Sequence, residues 1–479
     1  MTLRELLGDG PDVAVTGLAF DNRAVEPGTL FFCVPGFTRD GHDFAADAVA
    51  RGAAALVVTR PLSLGVPEVV VDDVRAAMAR AAARFAGDPT ATLRVLGVTG
   101  TNGKTTTTFL ARALLEAAQR PTGLIGTVTS IVGGSELPVA RTTPEAIDLQ
   151  RLFRAMLDAG DVACAIEISS HALELRRADG IHVAVAVFTN LTQDHLDFHP
   201  TMEDYFQAKR LLFASELTRT RIANADDVYG RRLLAEFDGT ISFAIDREAD
   251  YRAVDVRFDG AGSDFRVLTP DGDFDARVPL PGRFNVMNAL AAWAAVRALG
   301  VPADGLPDAL RGALTAPGRF EPVEAGQPFS LIVDYAHKPE ALEQVLRAAR
   351  ELCAGRLIVV FGAGGDRDRG KRPQMGEIAA RLADVAYVTS DNPRSEPPEA
   401  IIDEIMAGVP AAPHARVQRD ADRRAAIFAA VAQARPGDAV VVAGKGHEQG
   451  QELADGVKQP FDDRVVARAA VAAAAESRA

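Results

Sequence analysis

The stretch Leu96–Thr108, LGVTGTNGKTTTT, decides how the chain is read. A short apolar run, Leu93 to Val98, leads into a glycine-threonine loop, and helical character from Thr105 to Ala118 follows. Strand, glycine loop, Lys-Thr and helix make a phosphate cradle. Backbone N–H groups ring the phosphates, Lys104 reaches the β/γ oxygens, Thr105 offers a hydroxyl to Mg²⁺, and the helix N-terminus supplies a positive end. The spacing departs from the general pattern, because Gly97 and Gly103 are separated by five residues where G-x-x-x-x-G-K-[ST] has four. The alternative is an ordinary strand-to-helix turn with a surface lysine. Gly-Lys-Thr opening a helix has a mechanism behind it, so the expectation is a nucleoside triphosphate site on Gly100, Thr101, Asn102, Gly103, Lys104, Thr105 and Thr106.

Outward from this loop, the pattern is strand and helix in alternation. Before it, FFCVPG (31–36), AALVVT (54–59) and EVVV (68–71) read as strands, with helices at 43–51 and 74–86. After it, apolar runs at 163–168 and 183–189 each end in a polar cluster, as strands of a doubly wound sheet do. Residues 251–279 carry Asp-Gly turn signals and are expected to form hairpins at the sheet edge. From about Gly318, near-continuous apolar strands at 330–335, 356–362, 383–389 and 438–444 alternate with helices, the pattern of a buried parallel sheet. The fold class is therefore α/β in three domains: residues 1–89, a P-loop-type ATPase domain with a mostly parallel sheet at 90–317, and a Rossmann-like α/β domain at 318–479.

Composition narrows the function classes. At 479 residues the chain exceeds one ordinary core, and its formal charge of −13 disfavours nucleic acid or an anionic membrane as main partner. Cys33, Cys164 and Cys353 lie far apart, so neither a disulfide framework nor a thiolate metal site is expected. The N-terminus lacks a basic region followed by an apolar stretch, and no uncharged apolar run reaches spanning length. A cytoplasmic protein, acting as a monomer and without membrane insertion, is the expectation.

Several clusters carry chemistry. Glu167, in AIEISSHAL, ends an apolar strand, where a carboxylate is costly without a positive partner such as Mg²⁺; pairing with a nearby arginine is the alternative. His195 and His199 stand at i, i+4, but Leu196 follows the first where a zincin needs Glu, so a second Mg²⁺ site or γ-phosphate contact suits His195 better. Capping or packing roles for both histidines stay open. Lys209, in YFQAKRLLF, reads from its residues alone as a helix-surface lysine. DYAHKP (334–339), GAGGDRDRGKRP (362–373), DNPR (391–394) and AGKGHE (443–448) each follow a strand, suggesting a small zwitterionic ligand whose carboxylate arginine would clamp.

These motifs, with GRFNVMNALAA (282–292), occur in an order that resembles the Mur ligases over nearly the whole chain. The resemblance implies ATP-dependent joining of meso-diaminopimelate to UDP-N-acetylmuramoyl-L-alanyl-D-glutamate through an acyl phosphate, with Mg²⁺. A lysine-adding member is the alternative; such members usually lack the arginine of DNPR. The resemblance makes Lys104, Lys209 and His195 catalytic candidates, with Lys209 carboxylated on its amine. It makes Thr105, Glu167, His195 and carboxylated Lys209 metal candidates, and adds Asn288, Arg319, Asp334 and His337 to the nucleotide site. Phe20, Asn22, Thr142, Thr143, Ser169 and Arg177 would hold the UDP substrate. Arg367, Asp391, Asn392, Pro393, Arg394, Gly444 and Glu448 would hold the amino acid. Departures fall on the nucleotide-sugar side: Asp21-Asn22-Arg23 where Asp-Ser-Arg is frequent, Arg141 where Asn is common, and Leu175 where some members carry Gln. The loop Gly36-Phe37-Thr38 keeps the family's general shape.

Overall fold

The apolar runs near the N-terminus become four parallel strands, β1 (Gly17–Ala19), β2 (Thr29–Phe32), β3 (Ala55–Val58) and β4 (Glu68–Val70), in that sheet order. The structure is a computed structural model that describes residues 1–36, 39–139, 141–196 and 198–476. Phe37 and Thr38, the expected loop residues, lie outside those described. Every residue of β2 and β3 is buried, because both sheet faces are covered. Leu30, Phe32, Ala55 and Val57 share a core with the helix Val74–Phe85, while Phe31, Leu56 and Val58 pack with Ala45 and Ala48 on the opposite face. That split is the period-two alternation of a strand. Asp73 caps the helix Val74–Phe85 by accepting the Ala76 N–H at 3.0 Å.

The chain folds as two units, Met1–Phe243 with Ala291–Pro302, and Ala244–Leu290 with Ala303–Ala479. In the first, the phosphate-loop strand β5 (Arg94–Thr99) sits among β6 (Thr122–Ile125), β7 (Ser130–Val132), β8 (Ser135–Leu137), β9 (Ala163–Glu167), β10 (Val183–Phe188), β11 (Thr218–Asn224) and β12 (Ile241–Ala244). Their order is β12-β11-β10-β5-β9-β6-β7-β8, parallel from β12 to β6 and antiparallel beyond. β5 thus lies between β9 and β10, and its register pairs Val98 with Glu167 and Thr99 with Phe188. This arrangement gathers the polar ends of three strands at one edge.

In the second unit, β13 (Tyr251–Asp259), β14 (Gly262–Thr269) and β15 (Gly272–Val278) form the expected antiparallel hairpins. A further sheet contains β16 (Glu321–Pro322), β17 (Ser330–Asp334), β18 (Leu357–Phe361), β19 (Val385–Thr389), β20 (Arg416–Asp420) and β21 (Ala439–Ala443), ordered β16-β17-β21-β18-β19-β20. All its pairings are parallel except β16–β17. The apolar alternation does not reveal β20: its sequence, RVQRD, is that of an edge strand kept polar against unwanted pairing. The remaining strands pair as β22 (Gly450–Glu452) and β23 (Lys458–Pro460), followed by the last helix, Asp463–Glu476.

Candidate active site

The phosphate loop is built by a glycine at each bend. Gly103 opens the helix Lys104–Ala117 at φ +84°, and Gly100 sits at φ +146° with a hypothetical Cβ only 1.9 Å from Thr189 Oγ1. Four consecutive threonines start this helix although threonine is a poor helix former; all four are buried, and Thr108 Oγ1 donates to the Thr105 carbonyl at 2.9 Å. The end of β10 holds the loop from the side. Thr189 Oγ1 donates to the Asn102 carbonyl (2.7 Å), Asn190 Oδ1 accepts the Asn102 N–H (3.0 Å), and the Thr101 N–H donates to the Asn190 carbonyl (2.9 Å). Thr101 Oγ1 meets the Tyr205 hydroxyl at 3.2 Å. Thr189 and Tyr205 are supports that motif reading passes over, since their types alone signal only a strand end and a buried aromatic.

Lys104 Nζ donates to the carbonyls of Gly100 and Thr101, both at 2.9 Å. Lys209 is no surface lysine. It is 1% exposed, its Nζ donates to the same Gly100 carbonyl at 2.8 Å, and it lies 4.5 Å from the Tyr205 ring centroid. The reading from residue type fails because the helix Met202–Ala214 turns Tyr205, Phe206, Ala208 and Lys209 inward together. Burial, then the neighbouring Lys104 ammonium, hold the Lys209 amine well below its ordinary pKa, against a smaller opposing pull from Asp194.

Glu167, at the end of β9, is 1% exposed; its oxygens take the Thr127 N–H (2.8 Å) and hydroxyl (3.1 Å). Among the described residues no basic side chain pairs with it, so the arginine alternative falls away. A buried, unneutralised carboxylate beside a loop bearing the Thr105 hydroxyl is a hard oxygen donor set that suits Mg²⁺. His195 adopts φ +54° and contacts Asp194 at 3.3 Å, with the His171 ring 4.7 Å away. His199 is a packing residue: it is 3% exposed, bonds Ser170 Oγ at 2.9 Å and stacks on Tyr205, and its pKa is lowered by burial first and then by His171.

Around Glu167 the structure assembles most of the expected UDP-substrate residues. Thr143 Oγ1 donates to the Glu167 carbonyl (2.8 Å) and accepts the Ser169 N–H (3.1 Å), while Thr142 and Thr127 hydroxyls meet at 3.0 Å. Arg177 Nε pairs with Glu145 at 2.9 Å, and Arg141 (2.6 Å) and Arg75 (3.1 Å) join the same buried carboxylate. Glu145, directly after Thr142-Thr143-Pro144, is therefore the counter-ion of a basic cluster and was not anticipated. Asn22 and Phe20 stand apart from these: Asn22 Nδ2 donates to Asp47 at 2.7 Å, and Phe20 packs on the N-terminal core.

The second unit carries the other expected residues. Asn288 is buried in the helix Arg283–Ala298 and donates to Asn285 Oδ1 at 3.3 Å. Asp334 ends β17, accepting the N–H groups of Phe320 (2.6 Å) and Ala336 (2.7 Å), and burial raises its carboxyl pKa. The Arg319 guanidinium lies 4.7 Å from the Tyr335 ring centroid, and His337 Nδ1 bonds the Tyr335 carbonyl at 2.8 Å. At the ends of β19 and β21, Asp391, Asn392 and Gly444 are buried together: Gly444 has φ +123°, and a Cβ there would come 2.5 Å from Asp391 Oδ2. Asn392 Nδ2 donates to Glu448 Oε2 at 2.8 Å. Arg394, at φ +52°, pairs with Glu452 (2.8 Å) and donates to the Gly365 carbonyl (2.8 Å); a Cβ on Gly365 would come 1.9 Å from the Pro393 carbonyl oxygen. Arg367 is exposed on the neighbouring loop.

Comparison with known proteins matches three consecutive blocks: the Mur ligase family catalytic domain at residues 14–86, the Mur ligase middle domain at 98–296, and the Mur ligase glutamate ligase domain at 318–446. The chain belongs to the Mur ligase family. This Mur ligase is 48% identical to UDP-N-acetylmuramoyl-L-alanyl-D-glutamate–2,6-diaminopimelate ligase of Streptomyces avermitilis, covering 96% of the chain and 93% of the relative. It is also 48% identical to the protein of the same name from Geobacillus kaustophilus, covering 97% and 96% respectively. A solved structure of a ligase with that name matches at 34% identity and a TM-score of 0.74, over 99% of both chains. Among the described residues of this Mur ligase, no helix is long and apolar enough to cross a membrane.

Proposed function

We propose that this chain is the ATP-dependent ligase that joins meso-diaminopimelate to UDP-N-acetylmuramoyl-L-alanyl-D-glutamate. The observation that carries the reading is near-full-length identity to ligases of that name, at 48% over 472 residues. The arginine of the DNPR turn, half-buried at the carboxyl end of a sheet strand, supports diaminopimelate over lysine, because the second carboxylate of diaminopimelate gives a guanidinium something to bind. Residues 1–89, 90–317 and 318–479 would serve the UDP substrate, ATP and the amino acid in turn. Three free cysteines accord with a reducing cytoplasm.

A carboxylate resists attack by an amine because its oxygen is a poor leaving group. The D-glutamyl carboxylate oxygen would take the γ-phosphoryl group, ADP would depart, and the diaminopimelate amine would then displace phosphate from the carbonyl carbon. The chain's part is positioning and charge neutralisation. Lys104 would exchange its two loop carbonyls for phosphate oxygens, and the Gly100–Thr106 amides would hold the phosphates in line. Arg177, fixed by Glu145, and the Thr143–Ser169 pair would orient the dipeptide beside them. Magnesium held by Thr105, Glu167, His195 and carboxylated Lys209 would supply positive charge against the transferring phosphoryl group.

The test is phosphate release from ATP with the nucleotide dipeptide, adding meso-diaminopimelate, L-lysine or neither. Release only with diaminopimelate, lost in Arg394→Ala, is expected. Release with lysine instead would refute the specificity, and no stimulation by either would refute the substrate class.

A further inference from the structure

Lys445 is the second residue of the turn that follows β21, and its side chain is wholly buried. Its Nζ donates to Asn392 Oδ1 at 2.8 Å and to Glu448 Oε2 at 3.0 Å, with Asp391 Oδ1 at 3.9 Å. Asn392 comes from the turn after β19 and Glu448 from the turn after β21, so one ammonium ties the two turns together. The amide of Asn392 is fully specified by this arrangement. Its oxygen accepts from Lys445 and from the Glu452 N–H (2.9 Å), and its nitrogen donates to Glu448 (2.8 Å). A flip would set a donor against two donors. Glu448 Oε2 in turn receives both Lys445 and Asn392, which fixes the carboxylate's rotation. Stability alone does not call for a lysine here, since an apolar side chain of similar volume would avoid desolvating an ammonium.

We propose that Lys445 is the positioning residue of the amino-acid site, holding Asn392 and Glu448 in the geometry that receives the ammonium and carboxylate of a zwitterionic amino acid. This rests on the reading of the chain as a diaminopimelate-adding ligase. Lys445 acts through its two partners: it engages Glu448 Oε2 and the oxygen of Asn392, and so fixes where Glu448 Oε1 and the second amide hydrogen of Asn392 point.

The test is steady-state kinetics of Lys445→Met with each substrate varied in turn, beside thermal unfolding of the same protein. The KM for meso-diaminopimelate is expected to rise about tenfold or more, the effect of losing one hydrogen bond to a charged group, while those for ATP and the nucleotide dipeptide stay within about twofold. Lys445→Arg keeps the charge but puts a longer, planar fork where a compact ammonium is wholly enclosed, so Asn392 and Glu448 must shift; it should show the same selective rise and serves if the Met variant does not fold. In the double variant with Glu448→Gln, the effects on KM should be less than multiplicative, because both changes disturb one arrangement. An unchanged KM for diaminopimelate in both single variants would overturn the inference, as would a parallel rise in all three KM values with a lowered melting temperature. Wild-type protein that gives no diaminopimelate-dependent phosphate release would instead sink the functional reading on which it rests.

Discussion

Lys104 and Lys209, 105 positions apart in sequence, donate to one and the same acceptor, the carbonyl of Gly100, at 2.9 and 2.8 Å. Two lysine amines on one carbonyl cannot both carry charge without repulsion, and only half-buried Lys104 has solvent to share the cost. The described residues give Lys209 no ion pair, and burial, then Lys104, hold its amine well below its ordinary pKa, which favours the uncharged form. An uncharged amine adds to the carbon of dissolved CO₂ and releases one proton, giving a carbamate anion that relieves the repulsion. A carbamate resonance is therefore expected in ¹³C spectra of protein equilibrated with labelled bicarbonate, and should vanish in Lys209→Met. Lys209→Arg should fail as completely as Lys209→Met, each losing on the order of 10²-fold in kcat, since a guanidinium cannot deprotonate to react. A fully active arginine variant would refute the carbamate.

Gly100 provides a second test. A Cβ there meets Thr189 Oγ1 at 1.9 Å and would sit on a backbone at φ +146°, so the loop and its clasp on β10 cannot both survive. Gly100→Ala is expected to lower kcat/KM for ATP by about 10²-fold or more, the scale of a misplacement near 1 Å. Gly8→Ala is the control: φ is +80° but nothing lies within 4 Å, so it should cost about 1 kcal/mol of stability and leave kinetics unchanged. Equal kinetic effects of the two would show that the contact with Thr189 does not matter.

Acid stability follows from two histidines. Burial, then Lys371, lowers His337 to about 4, and burial, then Arg319, lowers His447 to about 4, against an ordinary value of 6.5. Between those limits the unfolded chain binds the protons and the folded chain does not. Each group's contribution is thus fully present above about 6.5 and is lost as the pH falls toward about 4. Urea unfolding measured from pH 7.5 to 4.5 should show stability falling with acidification, and His337→Asn should flatten that fall. An unaltered slope in the variant would mean that His337 charges without penalty.

The loop Gly100–Thr106 and the strand-end turns of the second unit were legible because their glycines and charged residues follow apolar runs at fixed spacing. Within each unit, the strand ends of its own parallel sheet then bring such turns to one edge of that sheet. Lys209 was legible only through family resemblance. Its burial depends on the helix Met202–Ala214 packing through Tyr205 and Phe206, and no local spacing distinguishes that from a surface lysine. The partners of Glu145, Tyr205 and Lys445 were illegible for a related reason. Each acts on a residue far away in sequence, Glu145 on Arg75 and Arg177, Tyr205 on Thr101, Lys445 on Asn392, and long-range pairing leaves no periodic trace.

Arg423 and Asp463 make a wholly buried ion pair with two parallel contacts, 2.8 Å from Nε and 2.6 Å from Nη2. The same guanidinium donates to the carbonyls of Ser390 (3.3 Å) and Ala443 (3.0 Å), the residues just before Asp391 and Gly444. It therefore secures the strand ends from beneath, while Lys445 joins the turns above them. Removing one partner leaves an uncompensated buried charge, so Arg423→Met is expected to cost about 3–5 kcal/mol in chemical denaturation. Replacing both, Arg423→Met with Asp463→Leu, removes the stranded carboxylate as well and should recover part of that loss. The two carbonyls still lack their donor, so recovery should stop short of wild type and the KM for the amino acid should stay raised. If the double variant is no more stable than the single one, the pair itself is not the source of the cost, and the lost carbonyl contacts are.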